Sequence, residues 1–427
     1  MLVAVLIPLT SSFDIFLTVN IGGNFRFCQI VAPILIVLAI VKANRRERLP
    51  LLALLPLCLW FAVQSAFIPV TNFWPKSVAY CLWLAANIAL IFSYVQLFGD
   101  NTAGLRTLLR WYIFSFVLIA GFGILQFTLP LLGLPAILVT QWWIPGSLPR
   151  ANGFSYEPSY LATYLLIGFV CVSSLRSARS PLLSRRALGT SYWVIAVGII
   201  VSSSRMGIVF LLLEVGLSQS RPWAATLRDF ARLRISRSKV RALVPSLLML
   251  VFVGAIGSVA AMALERNPMV MLMFLNGTGI SDTAAHSVLQ REGSFEETLQ
   301  VFADHPLIGR SLGGVSSAIA NLNGETVHSF EESKAFEGMS VFAEVLAGSG
   351  VFGLIPFVWF LIVTIREPLR IARVSPPFHS TILHAFVRSL VFAWAILQVN
   401  QNVLRPYLWV HLAILATVYA SARKALA

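Results

Sequence analysis

PRANGFSYEPSYLATYLL, Pro149 to Leu166, decides how this chain is read. Arg150, Gly153, Glu157 and Pro158 stand close together, and beyond them the sequence turns apolar. Glu157-Pro158 marks a helix start, because proline suits a first turn and a carboxylate is favoured at the positive end of the helix dipole. The apolar segment that follows, 158–175, is long enough to cross a bilayer, where a helix is the structure that satisfies its own backbone. An arginine and a glutamate therefore stand at the lip of a predicted membrane span.

The pattern recurs along the chain. Of 427 residues, 57% are hydrophobic and 12% charged, and the mean hydropathy is +0.80. A soluble domain carries about 25% charged residues. Apolar segments lie near 2–20, 27–42, 51–69, 77–98, 109–129, 158–175, 187–202, 206–218, 243–263, 341–364, 381–399 and 407–421, which predicts an all-α, polytopic membrane bundle of about twelve helices. The stretch MLVAVLIPLTSSFDIF (Met1–Phe16) has no basic n-region and no clear cleavage site, so it is expected to be a retained first helix. Cys28, Cys58, Cys81 and Cys171 fall in apolar stretches and read as membrane-embedded residues, not as a metal or disulfide set.

The net charge of +14 is distributed by loop. Lys42, Arg45, Arg46 and Arg48 follow the second segment, Arg106 and Arg110 the fourth, and Arg176, Arg179, Arg185 and Arg186 the sixth. A run from Arg221 to Arg241 follows the eighth, Arg366, Arg370 and Arg373 the tenth, and Arg423 and Lys424 the twelfth. Twelve segments put these 22 of the 32 basic residues on one side, and the positive-inside rule makes that side cytoplasmic, with both termini. The basic loop 219–241 then reads as a topological signal that meets anionic lipid, not as a nucleic-acid site. The expected organisation is 1–263 with nine spans and the outer loop 130–157, a large outer loop 264–340, and three final spans in 341–427.

The loop 264–340 holds ten of the eighteen acidic residues and three of the six histidines, His286, His305 and His328. A loop of this length is functional or disordered more often than not. Its stretch REGSFEETLQVFADHPLIGRSLGG (Arg291 to Gly314) has apolar residues at helical spacing and predicts an amphipathic helix ending at His305-Pro306, then a glycine-bearing turn. Asp304 and His305 could assist proton transfer or simply close that helix.

On the predicted topology Arg150, Arg205 (in SSSRMG, Ser202 to Gly207) and Arg405 (in NQNVLRPYLW) reach one surface from separate parts of the chain, and Arg291 could add a cation from above. One reading makes them snorkelling anchors at helix ends. The other makes them a site for a diphosphate, which the fixed donor fork of arginine suits. Glu157 is either a helix-start carboxylate or a base and sugar-hydroxyl acceptor, with Gly153 allowing the turn that brings it near the arginines. Asp14, and His384 with Arg388 on one face of the eleventh segment, are intramembrane charges with either a functional or a structural pairing role. Glycine-rich nucleotide loops, zincin motifs and DxD motifs are absent, so neither a cofactor nor a metal is expected.

Arg150 with Gly153 and Glu157-Pro158, then Ser204-Arg205, then Arg291 followed by His305-Pro306-Leu307-Ile308-Gly309, resembles the O-antigen polymerase and ligase superfamily. The architecture is similar too, with about twelve helices and one large periplasmic loop before the tenth. The resemblance implies a metal-independent glycosyltransferase of the bacterial inner membrane, acting at its periplasmic face on oligosaccharides linked to undecaprenyl diphosphate. It implies a flippase and a chain-length regulator as partners. It implies catalytic roles for Arg150, Glu157, Arg205, Arg291 and His305; Gly153, Arg310, Arg405 and His328 are expected to bind substrate beside them. Ligases of the family show a histidine, then Asn, Ser or Gln, nine residues, and GxxG. In MSVFAEVLAGSGVFG (Met339 to Gly353), Ser340, Gly350 and Gly353 fit, but Met339 takes the histidine position. Methionine cannot take a proton, so the likeness points to a polymerase of O-antigen, capsule or exopolysaccharide repeats. A ligase acting on lipid A–core and a lipid-linked glycan flippase are the alternatives.

Overall fold

The computed structural model describes residues 1–20, 24–42, 51–231, 285–338, 340–399 and 403–426. In chain order its helices are α1 (Leu2–Thr10), α2 (Phe27–Lys42), α3 (Leu51–Ala66), α4 (Trp74–Phe98), α5 (Thr102–Leu131), α6 (Pro158–Ser177), α7 (Arg185–Val201) and α8 (Arg205–Ala231). They continue with α9 (Ala285–Asp304), α10 (Val315–Leu322), α11 (Val341–Ala372), α12 (Pro377–Ile396) and α13 (Pro406–Lys424). Two short antiparallel hairpins interrupt them, β1 (Thr18–Asn20) with β2 (Asn24–Arg26) and β3 (Gln141–Ile144) with β4 (Leu148–Arg150). Among the described residues five helices, α4, α5, α6, α11 and α12, are long and apolar enough to cross a membrane.

Local chemistry sets the helix limits. Proline opens α6, α12 and α13 in the first turn, where its missing N–H costs nothing. Asn101 caps α5 by accepting from Gly104 N–H at 2.8 Å, and Ser184 caps α7 by accepting from Ala187 N–H at 3.2 Å. The expected first span, 2–20, is instead a helix that stops at Thr10. Ser11 and Ser12 turn the chain there, with the Ser11 hydroxyl donating back to the Pro8 carbonyl at 3.0 Å, and the remainder leads into the β1–β2 hairpin. The eighth segment extends to Ala231 as one helix. The ninth, 243–263, lies outside the described residues.

α6 and α13 form the buried centre. α6 packs on α12, α7 and α8, α13 packs on α4 and α12, and α11 packs on α3. In lipid, helices associate through close packing and not through exclusion of water, so small residues matter at the contacts. A Cβ on Gly168 would come within 2.3 Å of the Phe116 ring, and one on Gly207 within 2.6 Å of Ala162 Cβ. The charge inside this bundle is also paired. Arg388 of α12 meets Glu214 of α8 at 2.8 Å, and the Glu214 carboxylate is fully buried. His384 does not share that pair; it is exposed and its ring meets the Ser380 carbonyl at 2.8 Å.

The two ends of the bundle differ. At one, Lys424 pairs with Asp100, Arg110 donates to the Leu182 carbonyl at 3.1 Å, and Arg106 lies over the Phe378 ring. Arg366, Arg370, Arg373 and Arg423 are exposed at that same basic end. At the other lie both hairpins and the layer of α9 and α10. That layer shares a small core, Val301, Val315 and Ile319, with Ala347 of α11. Lys76, only 4% exposed, pins the layer to α4 by reaching Ser316 Oγ at 3.0 Å and Glu337 at 3.4 Å.

The anchor of this layer is a break in α11. Gly350 adopts φ 56 and ψ −163 inside the helix, and Pro306 to Gly309 fill the gap. Val351 N–H donates to the Pro306 carbonyl (2.9 Å), Phe352 N–H to Leu307 (3.2 Å), and Arg310 N–H to Ala347 (2.9 Å). Non-helical backbone at this depth is stable because protein satisfies it. A Cβ on Gly309 would sit 2.5 Å from Ser349 N, and one on Gly350 2.3 Å from the Leu307 carbonyl oxygen. Thus the His305–Gly309 motif and Gly350 of the GxxG motif are two halves of one joint.

Candidate functional site: a polar cavity at the start of α6 and α8

Three elements carry the site. The β3–β4 register sets Gln141 opposite Arg150, and Gln141 Oε1 accepts from Arg150 Nη1 at 2.9 Å. Arg150 also donates to the Ser203 carbonyl at 3.4 Å and stands 5.2 Å from the Trp143 ring centre. Ala151 N–H donates to the Val201 carbonyl at 3.1 Å, which ties the hairpin to the end of α7. The arginine is thus fixed by neighbours before any ligand arrives.

The turn from Arg150 to Glu157 is clamped by buried amides. Gln126 of α5 accepts from the N–H groups of Asn152 (3.2 Å) and Gly153 (2.7 Å), and its own amide donates to the carbonyls of Ile137, Leu138 and Gly153. Asn152 donates to the Ser155 carbonyl at 2.8 Å. Gly153 has φ +58, a left-handed conformation that glycine adopts freely. Phe154 stacks on Phe122 with ring centres 4.2 Å apart, and its carbonyl accepts from the N–H groups of Asp14 and Ile15.

This turn delivers Glu157 to the N-cap of α6. Its side chain makes no cap hydrogen bond; instead it accepts from Ser159 Oγ at 3.0 Å. Arg205 is the first residue of α8, exposed, and among the described residues it has no ion-pair partner. Arg150, Glu157 and Arg205 line one open cavity of about 860 Å³, with Gln141, Ser159, Thr163 and Ser204, and with Ile396 and Val399 on its apolar side. The N-termini of α6 and α8 both open on it, and the backbone N–H groups of a helix start favour an anion.

The other expected site residues lie elsewhere. Arg405 is 6% exposed and paired with Asp14 at 3.3 Å, while Arg26 holds the same carboxylate at 2.5 Å. The Arg405 guanidinium lies 3.6 Å from the Tyr160 ring centre. Burial is the largest single influence and opposes its charge, but Asp14 together with Tyr160, Tyr407 and Glu337 outweighs it and holds the Arg405 pKa above its ordinary value. His305 and Arg310 line a second, smaller cavity of about 450 Å³ with Asp304, Asn72, Ser317 and Asn321, and Arg310 donates to the Val70 carbonyl at 2.9 Å. His328 is exposed and meets Thr326 Oγ1 at 3.0 Å. Arg291 and His286 are placed on α9, but their side chains, like Met339, fall outside the described residues. Among the described residues no three His, Cys, Asp or Glu side chains cluster as metal ligands.

Sequence reasoning missed Gln126, Asn152, Lys76 and Glu214. Gln126, Lys76 and Glu214 are lone polar residues inside or beside apolar runs, which is the signal that could have found them; Asn152 lies in the polar turn after Arg150, where nothing in the pattern sets it apart. No protein-family model matches the chain, and no curated protein matches it.

Proposed function

We propose that the chain is a membrane glycosyltransferase that polymerises polysaccharide repeat units carried on undecaprenyl diphosphate. The observation that supports this reading is the convergence of Arg150, Glu157 and Arg205, from three separate elements, on one open polar cavity at the end of an apolar bundle. A diphosphate on a membrane-anchored lipid arrives at this depth, with its polyprenyl chain in the bilayer. The resemblance of the Arg150–Pro158, Ser204-Arg205 and His305–Gly309 motifs to O-antigen polymerases and ligases supports the same substrate class.

In this reading Arg150 and Arg205 bind the diphosphate, and the helix starts of α6 and α8 add their N–H groups. The acceptor hydroxyl attacks the anomeric carbon of the donor sugar. The new C–O bond forms as the bond to the diphosphate breaks, and Glu157 takes the hydroxyl proton. The leaving group already carries its activation, so the protein has to stabilise the charge that develops on it. Fixed cations in a partly dry site do this effectively. Holding donor and acceptor together contributes much of the remainder. The cavity faces the periplasm, and the basic end the cytoplasm.

The test is reconstitution in liposomes with undecaprenyl-diphosphate-linked repeats, without nucleotide. A ladder of lengthening glycans is expected. Transfer to added lipid A–core without a ladder would replace polymerase by ligase, and movement of intact lipid-linked sugar across the bilayer would replace both by a flippase.

A further inference from the structure

The basic end carries a cavity that the proposed reaction does not use. It is a narrow cleft, open at the surface, between α3, α4, α11 and α13. Its walls are apolar, among them Leu54, Ile91, Phe360 and Leu415, and its polar edge is Glu367 with Tyr419. From Phe360 to Glu367 α11 rises about 10 Å, a large part of the roughly 15 Å that one leaflet of a hydrocarbon core occupies. The cavity therefore begins at the basic end and runs inward for most of one leaflet. Pro368 stands at its mouth and removes the hydrogen bond that the Thr364 carbonyl would receive in a continuous helix.

The charge around the mouth is mostly basic. Arg366, Arg370, Arg373, Arg423 and Lys424 are exposed on the last turns of α11 and α13. Two carboxylates answer them, Glu367 at 3.6 Å from Arg370 and Asp100 on Lys424. Arg423 lies over the ring of Tyr419, which lines the cavity. Arg370 and Arg423, each beside a lining residue, against Glu367 leave an excess of one positive charge next to the apolar slot. Basic pockets between membrane helices on this side select anionic headgroups.

We infer that this slot is a binding site for one anionic phospholipid, with an acyl chain between α11 and α13 and its phosphate held by Arg370 and Arg423. The inference needs the bundle to lie in a bilayer and does not depend on the glycosyltransferase reading. The lipid fills the space between α11 and α13, which otherwise touch little.

Native mass spectrometry of the full-length protein, released from micelles containing equal phosphatidylglycerol and phosphatidylcholine, tests this. One retained phosphatidylglycerol per chain is expected. Arg370→Gln and Arg423→Gln, both at exposed positions, should each weaken that selectivity about fivefold, the effect of one basic residue near an anionic surface. Ala416→Phe, which fills the slot, should abolish retention while the two glutamine variants keep the fold. Equal retention of phosphatidylcholine, or undiminished retention in Ala416→Phe, would overturn the site. Preferential retention of added undecaprenyl phosphate over phosphatidylglycerol would overturn the choice of lipid.

Discussion

Arg205 and Arg405 stand at helix starts on the same end of the bundle, yet one is exposed and the other is 6% exposed. Arg405 is enclosed by Asp14, Arg26 and the Tyr160 ring. Arg205 faces an open cavity with Arg150 and Glu157. A buried ion pair commits its members to the fold, because losing one strands the other without water. An exposed arginine contributes little to stability and keeps its donors for a ligand. Two arginines of equal formal charge thus serve the scaffold and the site respectively.

The contrast is sharpest in Arg405→Ala. It leaves the buried Asp14 carboxylate short of one partner and should cost about 3–5 kcal/mol of stability, read as loss of folded protein in a melting assay. Activity should fall only in proportion to folded protein. Arg150→Ala should do the reverse, slowing glycan extension about 10²–10³-fold, as loss of one charge-stabilising donor does, with folding retained. Glu157→Gln keeps the Ser159 contact within reach but removes the base. Extension should drop about 10²-fold at an unchanged melting temperature, whereas a merely structural carboxylate would leave the rate unchanged.

Gly309→Ala would break the comparison from a third direction. A methyl group there meets the α11 backbone at 2.5 Å and adopts φ +60, so a loss of about 1–3 kcal/mol is expected. Proteolysis should show the α9–α10 layer released before the bundle melts. The smallest effect belongs to Glu332. The His328 N–H and then the Ser329 hydroxyl hold its carboxyl below the ordinary 4.5. A depressed carboxyl stabilises above its unfolded pKa and loses that contribution as pH falls through the folded value. Protection of the His328 amide, measured against its intrinsic exchange rate at each pH, should therefore hold at neutral pH and be lost as pH falls through that depressed value, and constant protection across that range would argue against the contact.

Much of this was legible in the sequence. Helices such as the one over 158–175 were, because proline or charge bounds the apolar run, whereas the first run, 2–20, was not, since its helix stops at Thr10. Arg150, Glu157 and Arg205 were legible as a group because all three flank predicted helix starts on one side. The pairing of Asp14 with Arg405 was not. Both stood out as charges near apolar segments, but their meeting depends on the short α1 and its hairpin folding back against the turn before α13. A period count on residues 2–20 cannot reveal that, although Ser11, Ser12 and Asp14 were visible turn formers. The His305–Gly309 and GxxG motifs read as chemistry in sequence. Gly309 and Gly350 instead show a steric purpose, since each admits the backbone of the other segment. Glu214 passed unnoticed inside its apolar run, and with it the partner of Arg388.

The most direct measurement sets the rate of glycan extension by Arg205→Ala in liposomes beside its melting temperature. The account predicts extension slowed about 10²-fold or more at an unchanged melting temperature. Wild-type extension by a fully folded Arg205→Ala protein would contradict it and return this arginine to the role of a membrane anchor.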